Sequence, residues 1–417
     1  MANSRRRFIS ALSALAGASA FVPELLAASS RSISMDKYPD EDTYWQSIRQ
    51  QFTPGKDIIN FNNGGVSPQP KIVQNTFKKY YDQANMGPSY YMWRQIDANR
   101  EVLRAKLANY VGCDTEELAI NRNTTEGLNT LALGFPLQAG DEVILSEQDY
   151  PNVVQVWKQR ELRDKIVLKW VHLDLPEKNE DVIAKKYISQ ITPRTKLICI
   201  THIINWTGQV MPVQKICKAA AEQGIKTVVD GAHTVSHLEI KISDLNCDFF
   251  ASSLHKWTCA PLGTGILYVK KGNAGGIWPL HPNNKPLVDD IRKFEILGTR
   301  NMAAEHAISA AIDFNLEMGL NRKYNRLCYL KNYWMEKITN PRVYFLSEKN
   351  PTINNAICNF GIEGLTVNEL ADYLFNKYKI HTSPIDIAGI KGCRVTPHVY
   401  TSLSELDVLV EAVNSYK

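Results

Sequence analysis

The 417-residue sequence predicts an α/β protein: a large domain built on a mainly parallel sheet, followed by a smaller C-terminal α+β domain. Three observations carry this. Short, β-branched, largely apolar runs recur between about residues 118 and 269, as strands buried on both faces do. Helix-patterned segments separate them, which implies parallel crossovers. A Pro/Gly/Asn-rich stretch, Gly272 to Pro286, then marks the exit from that unit.

In chain order, Glu101 to Val111 places Val102, Leu103, Leu107 and Val111 at helical spacing. Leu118-Ala119-Ile120 is strand-like and leads into Asn121-Arg122-Asn123-Thr124-Thr125-Glu126-Gly127-Leu128, which opens a helical run. Glu142–Leu145, Ile166–Leu168, Lys196–Ile200 and Lys226–Val229 read as strands. Val213 to Gln223 reads as a helix ended by Gly224. The apolar run Cys247–Phe250 precedes a loop carrying Lys256, and Gly263–Val269 is a further strand. Residues 300–417 read as helix, strands, helix. The expected division is a leader over 1–29, an N-terminal segment over 30–70, a large domain over 71–285 and a small domain over 286–417.

Composition sets bounds. Hydrophobic content of 44% with 22% charged residues is that of a globular enzyme. The net charge of +5 falls to +3 without residues 1–28, too little to argue for a nucleic-acid partner. Ser4-Arg5-Arg6-Arg7-Phe8-Ile9, followed by the modest apolar run Ala11–Leu26, resembles a bacterial twin-arginine signal. The expectation is export, to the periplasm, by the twin-arginine machinery. None of the eight cysteines forms a Cys-x-x-Cys pair, so no metal site is expected, and several sit in apolar runs where a buried thiol is the default.

The chemistry concentrates near Ser252-Ser253-Leu254-His255-Lys256-Trp257, whose lysine lies 26 residues after Asp230 in Val229-Asp230-Gly231-Ala232-His233. A partly desolvated lysine has a depressed pKa, and its free amine condenses with aldehydes. An acid at the neighbouring strand end would serve a pyridine nitrogen. That pair is what pyridoxal phosphate asks of a protein. Thr124 and Thr125 open a helix, where backbone amides and a hydroxyl either cradle a phosphate or cap the helix. A dinucleotide site there is disfavoured, because no Gly-x-Gly-x-x-Gly follows the first strand.

Taken in order and spacing, these pieces resemble the class V (fold type I) pyridoxal phosphate-dependent aminotransferases. That family includes cysteine desulfurases and isopenicillin N epimerase-like proteins. The resemblance runs from about residue 58 to the C-terminus. It implies that Lys256 is the Schiff-base lysine and Asp230 the partner of the pyridinium. Thr124, Thr125, Ser253 and His255 would contact the phosphate, Tyr150 would stack on the ring, and Asn205 would lie near its phenolic oxygen. His233 stands where desulfurases commonly have glutamine. The segment Ile59–Pro68, with Asn63 and Gly64, resembles the family's substrate loop, and Arg394 would hold a substrate carboxylate. Gly298-Thr299-Arg300-Asn301 resembles a segment reaching the partner subunit's phosphate, which implies a homodimer with Thr299 contributed across it. The expected substrate is an amino acid, a small molecule, altered at its α-carbon by transamination or epimerisation. His233, Tyr90 and Tyr91 are candidate opposite-face acids. Two rivals are a cysteine desulfurase or lyase, and a non-catalytic exported binding protein. The loop Ile380–Gly389 lacks the cysteine that persulfide chemistry uses, and Cys393, beside Arg394, should point to the strand's other face.

Overall fold

A computed structural model describes residues 40–347 and 355–417. The leader expected over residues 1–29 lies outside them.

The runs picked out by their apolar β-branched character are strands of one sheet. They are β1 (Leu118–Asn121), β2 (Glu142–Ser146), β3 (Val167–Val171), β4 (Thr195–Thr201), β5 (Lys226–Asp230), β6 (Phe249–Ser253) and β7 (Gly265–Val269). The seven lie in the order β1-β7-β6-β5-β4-β2-β3. All pairings from β3 to β6 are parallel, whereas β7 runs antiparallel to both β6 and β1.

Alternate residues of each strand feed two cores, because successive side chains leave a strand on opposite faces. Ile144, Ile198, Ile200, Val229, Phe250 and Ile266 enter one core. Val143, Leu145, Leu197, Cys199, Val228 and Phe249 enter the other. Both faces are covered, so the strands lack the apolar–polar alternation of a half-exposed sheet. Gly224 takes φ +70° in the turn after the helix Val213–Ala221, as expected of a glycine ending a helical run.

The predicted helix over 101–111 exists as Arg100–Val111, but its inward face is not the one its first apolar residue suggests. Val102 is exposed, and Arg100 and Arg104 share the buried side with Leu103 and Leu107. Both arginines pair with Glu295 there, and Arg100 also pairs with Glu305. Buried charges need such partners.

The C-terminal region forms a second, antiparallel sheet from β8 (Val343–Phe345), β9 (Cys358–Ile362), β10 (Ser383–Ile387) and β11 (Ile390–Val395), in the order β10-β11-β9-β8. The helices Leu320–Glu336, Val367–Tyr378 and Leu403–Asn414 complete its core. The helix Met302–Met318 instead sends Ala307, Ile308, Ala311 and Ile312 into the large-domain core. The N-terminal segment is stitched to the small domain: Ile59 and Asn60 pair with Ile380 and His381, and Asn62 bridges Thr396.

Candidate active site

Register brings the site together. Thr201 stands abreast of Asp230, and Asp230 abreast of Ala251, so the ends of β4, β5 and β6 open into one crevice. Ligands gather at such carboxyl ends, where the strand order reverses. Here the chain passes outward from β2 to β3 and returns on the other side of β2 as β4.

Asp230 is the last residue of β5 and is 6% exposed. Burial raises the pKa of its carboxyl, opposed by the Ala232 amide, which donates to Oδ1 at 2.9 Å, and by the nearby charge of Lys256. Lys256 lies in the turn after β6, half-buried. Desolvation lowers its amine to about 8, Asp230 pulls the other way, and Arg394 adds to the lowering. Nζ of Lys256 is 3.2 Å from His233 Nε2.

At the start of the helix Thr124–Gly134 the cap is Asn123, whose side chain accepts from the Glu126 amide at 2.8 Å. That resolves the double role open to the threonines: neither is needed as the cap. The Thr124 amide donates to Ser253 Oγ at 2.9 Å, and the two hydroxyls lie 2.8 Å apart. Thr125 is half-buried beside them in the first turn. His255 is held neutral by burial, its pKa lowered to about 4, and its Nδ1 is buried without a partner.

Arg394 is buried on β11. Its guanidinium donates to Asn62 Oδ1 at 2.7 Å and to the Asn205 carbonyl at 3.1 Å, while Nε is buried and unpartnered. No acidic side chain pairs with it among the described residues. Burial lowers its pKa to about 10, and the neighbouring Tyr150 offsets part of that. Tyr150 precedes the helix Pro151–Asp164 and is 40% exposed. The Asn205 Oδ1 is a second buried acceptor without a donor.

The structure places the two adjacent asparagines of the substrate loop differently. Asn63 is fully buried, and its amide is spent inside the protein on the Thr396 carbonyl at 2.8 Å and the Tyr400 hydroxyl at 2.7 Å. Asn62, its neighbour in the same motif, makes the contact to Arg394. Loop periodicity does not say which of two adjacent asparagines points inward, so the sequence held the motif without the assignment. Gly64 donates its amide to Thr396 Oγ1 at 2.9 Å, and a Cβ there would stand 3.5 Å from the His233 ring. Ser67 ties the loop to the lysine turn, its amide donating to the His255 carbonyl at 3.0 Å.

Both ring nitrogens of His233 are engaged, Nε2 lying 3.2 Å from Lys256 Nζ and Nδ1 accepting from the Trp257 indole at 3.1 Å. Tyr90 and Tyr91 meet edge to face on the helical segment 88–96, with Tyr90 mostly exposed. Thr299 is exposed and belongs to the surface of its own chain. Cys393 is in the small-domain core, its thiol pushed up to about 12 by burial. It faces away from Arg394, as strand alternation predicts.

The donor set fits pyridoxal phosphate. An anion suits the helix start with Thr124, Thr125, Ser253 and the unpartnered His255 Nδ1, which can donate in its N–H form; a protonated pyridine suits Asp230; an aldehyde suits Lys256. A fold type I architecture with this constellation defines a pyridoxal phosphate-dependent enzyme. The family model described as aminotransferase class-V matches residues 59–389, and the chain belongs to that family. Among its relatives is an isopenicillin N epimerase of Amycolatopsis lactamdurans, 28% identical over 89% of this chain and 98% of the relative. A probable cysteine desulfurase of Synechocystis is 26% identical, covering 88% of this chain and 93% of its own. The apo structure of a cysteine desulfurase from Thermococcus onnurineus superposes with a TM-score of 0.79 at 23% identity, over 88% of this chain and 96% of that one. At that identity the superposition bears on the fold alone.

Proposed function

We propose that the protein alters an amino acid at its α-carbon, as an aminotransferase or an epimerase, within a homodimer. The observation that carries the reading is Arg394: a buried guanidinium with neutral partners, an unpartnered Nε and, among the described residues, no acidic side chain to neutralise it. A substrate carboxylate supplies the missing charge and is gripped in two parallel hydrogen bonds.

When bound, pyridoxal phosphate supplies an aldehyde for amines and a ring that accepts the electron pair left by a departing α-proton. The protein's own residues do the rest. Arg394 and Asn62 orient the carboxylate. Lys256, whose lowered pKa of about 8 leaves part of it as free amine near neutral pH, takes the α-proton at Nζ. Asp230 provides a buried counter-charge for a protonated ring nitrogen. The Thr124 helix start anchors the phosphate end.

The absence of a cysteine from Ile380–Gly389, with Cys393 buried in the core, favours this reading over sulfur transfer. The test is a panel of L- and D-amino acids followed for keto acid, ammonia, sulfide and α-proton exchange in deuterated water. Exchange or keto acid without sulfide is expected. Sulfide released from cysteine would transfer the assignment to a desulfurase or lyase, and a colourless protein that cannot be reconstituted would leave a binding protein. Export is proposed on Ser4–Ile9 alone; cytoplasmic retention of a double Arg5→Lys, Arg6→Lys variant checks it.

A further inference from the structure

Trp257 follows the site lysine and is wholly buried. Its indole lies between two imidazoles, stacked on His237 at a centroid distance of 3.8 Å and on His398 at 5.6 Å. The main chain at this point is braced too. The Trp257 carbonyl accepts from the buried Lys323 amine, which also donates to Asn315 Oδ1 at 2.6 Å. His237 is fixed by its own bonds, Nδ1 to the His233 carbonyl at 2.9 Å and Nε2 to the Ala356 amide at 3.0 Å.

So held, the indole Nε1–H donates to His233 Nδ1 at 3.1 Å. An indole nitrogen is a donor only, so His233 Nδ1 must carry the lone pair. A neutral imidazole with a bare Nδ1 has its hydrogen on Nε2. That is the nitrogen 3.2 Å from Lys256 Nζ. A protonated Nε2 cannot accept from an ammonium; the contact is a hydrogen bond only when Lys256 is a free amine offering its own lone pair. An imidazolium is disfavoured as well. Burial drives the His233 pKa far below its usual value, and Lys256, Arg394, His237 and His255 all press the same way. Facing Lys256 itself are Asp230, which favours the charged amine, and Arg394, which opposes it.

We propose that Trp257 fixes His233 as its Nε2–H tautomer and thereby selects the uncharged, nucleophilic form of Lys256. Trp257 is a positioning residue, acting through His233 on the amine. The proposal rests on Lys256 being the reactive lysine, but its test reads a ring proton and an amine titration without turnover.

In cofactor-free protein labelled with ¹⁵N-histidine, the His233 ring should show a protonated Nε2 and a bare Nδ1 across the neutral range. A protonated Nδ1 in the wild type overturns the proposal without any variant. Trp257→Phe keeps a stacked ring and removes the donor. The single tautomer should be lost, and the pH midpoint for condensation of Lys256 with added pyridoxal phosphate, read as visible absorbance, should rise by about one unit, the equivalent of one ordinary hydrogen bond. An unchanged tautomer and midpoint overturn the relay. His233→Gln keeps the polarity, an acceptor toward the indole and a donor toward the amine, and should hold the wild-type midpoint; His233→Phe should raise it. Equal midpoints in these two variants also overturn it. Colour that persists in Lys256→Ala would sink the lysine assignment instead, so the two failures are distinct.

Discussion

Lys256 is useful only as a free amine, and burial makes that form available. A lysine's ordinary pKa is about 10.4, and here it is lowered to about 8. Desolvation penalises the ammonium, so the amine fraction grows as pH rises through about 8 and shrinks roughly tenfold per unit below it. The rate at which cofactor-free protein condenses with pyridoxal phosphate should follow that curve and vanish in Lys256→Ala. Arg394 poses the complementary question, since it must stay charged in a buried place. Arg394→Lys keeps a charge but loses the planar fork that bonds Asn62, the Asn205 carbonyl and a carboxylate together. Loss of one charged hydrogen bond, about 1.5–3 kcal/mol, predicts a KM raised roughly ten- to hundredfold. Steady-state kinetics on the best amino acid of the panel would measure it; an unchanged KM would remove Arg394 from substrate binding. Asp230 and Lys256 were legible as types at or just past strand-like runs, and Arg394 only through the family resemblance. The choice of Asn62 over Asn63 was not, because it depends on which amide the Thr396 carbonyl and Tyr400 hydroxyl claim.

The elements deliver these residues through close backbone fits. Gly231 joins β5 to the loop of His233, and a Cβ there would meet the Phe250 ring at 2.0 Å. The ring belongs to β6, whose register with β5 fixes Asp230 beside Ala251, so it cannot yield without moving the site. Gly231→Ala should therefore destabilise the protein by about 1–3 kcal/mol, the usual cost of overpacking, with weakened pyridoxal phosphate binding. Chemical denaturation with a cofactor titration would read both, and wild-type stability would show that Phe250 can move aside. Strand positions were legible because β-branched apolar runs stand out between helices. The reversed direction of β7 was not. Residues buried on both faces look alike whichever way a strand runs, and only the tight connection from β6 through Pro261 and Gly263 reverses it. The inward side of Arg100–Val111 was misjudged at Val102 because the partners of Arg100 and Arg104, Glu295 and Glu305, lie far along the chain.

At the scale of the whole molecule the site holds nearly every group a pyridoxal phosphate enzyme needs, and the segment Gly298–Asn301 bears on how an assembly would complete it. Within one chain Arg300 is taken, paired with Glu305 at 2.9 Å and also with Asp97. Asn301 caps the helix Met302–Met318, its side chain accepting from the Ala304 amide at 3.0 Å. Thr299 lies exposed between Gly298 and these fixed neighbours. If it completes the phosphate cradle of a second copy, Thr299→Ala should weaken pyridoxal phosphate binding roughly tenfold or more, the cost of one charge-assisted hydrogen bond. It should do so without altering the folding of its own chain. Mixing decides between sharing and a local effect. Subunits carrying Lys256→Ala have no reactive amine but an intact Thr299, whereas Thr299→Ala subunits have the reverse. Hybrid dimers of the two contain one site with both groups only if the hydroxyl comes from the partner. Co-refolded mixtures should then bind the cofactor with wild-type affinity at a fraction of their sites. Mixtures that only average the two parents, or a chain that sediments as a monomer with full cofactor affinity, would place the phosphate contacts entirely within one chain.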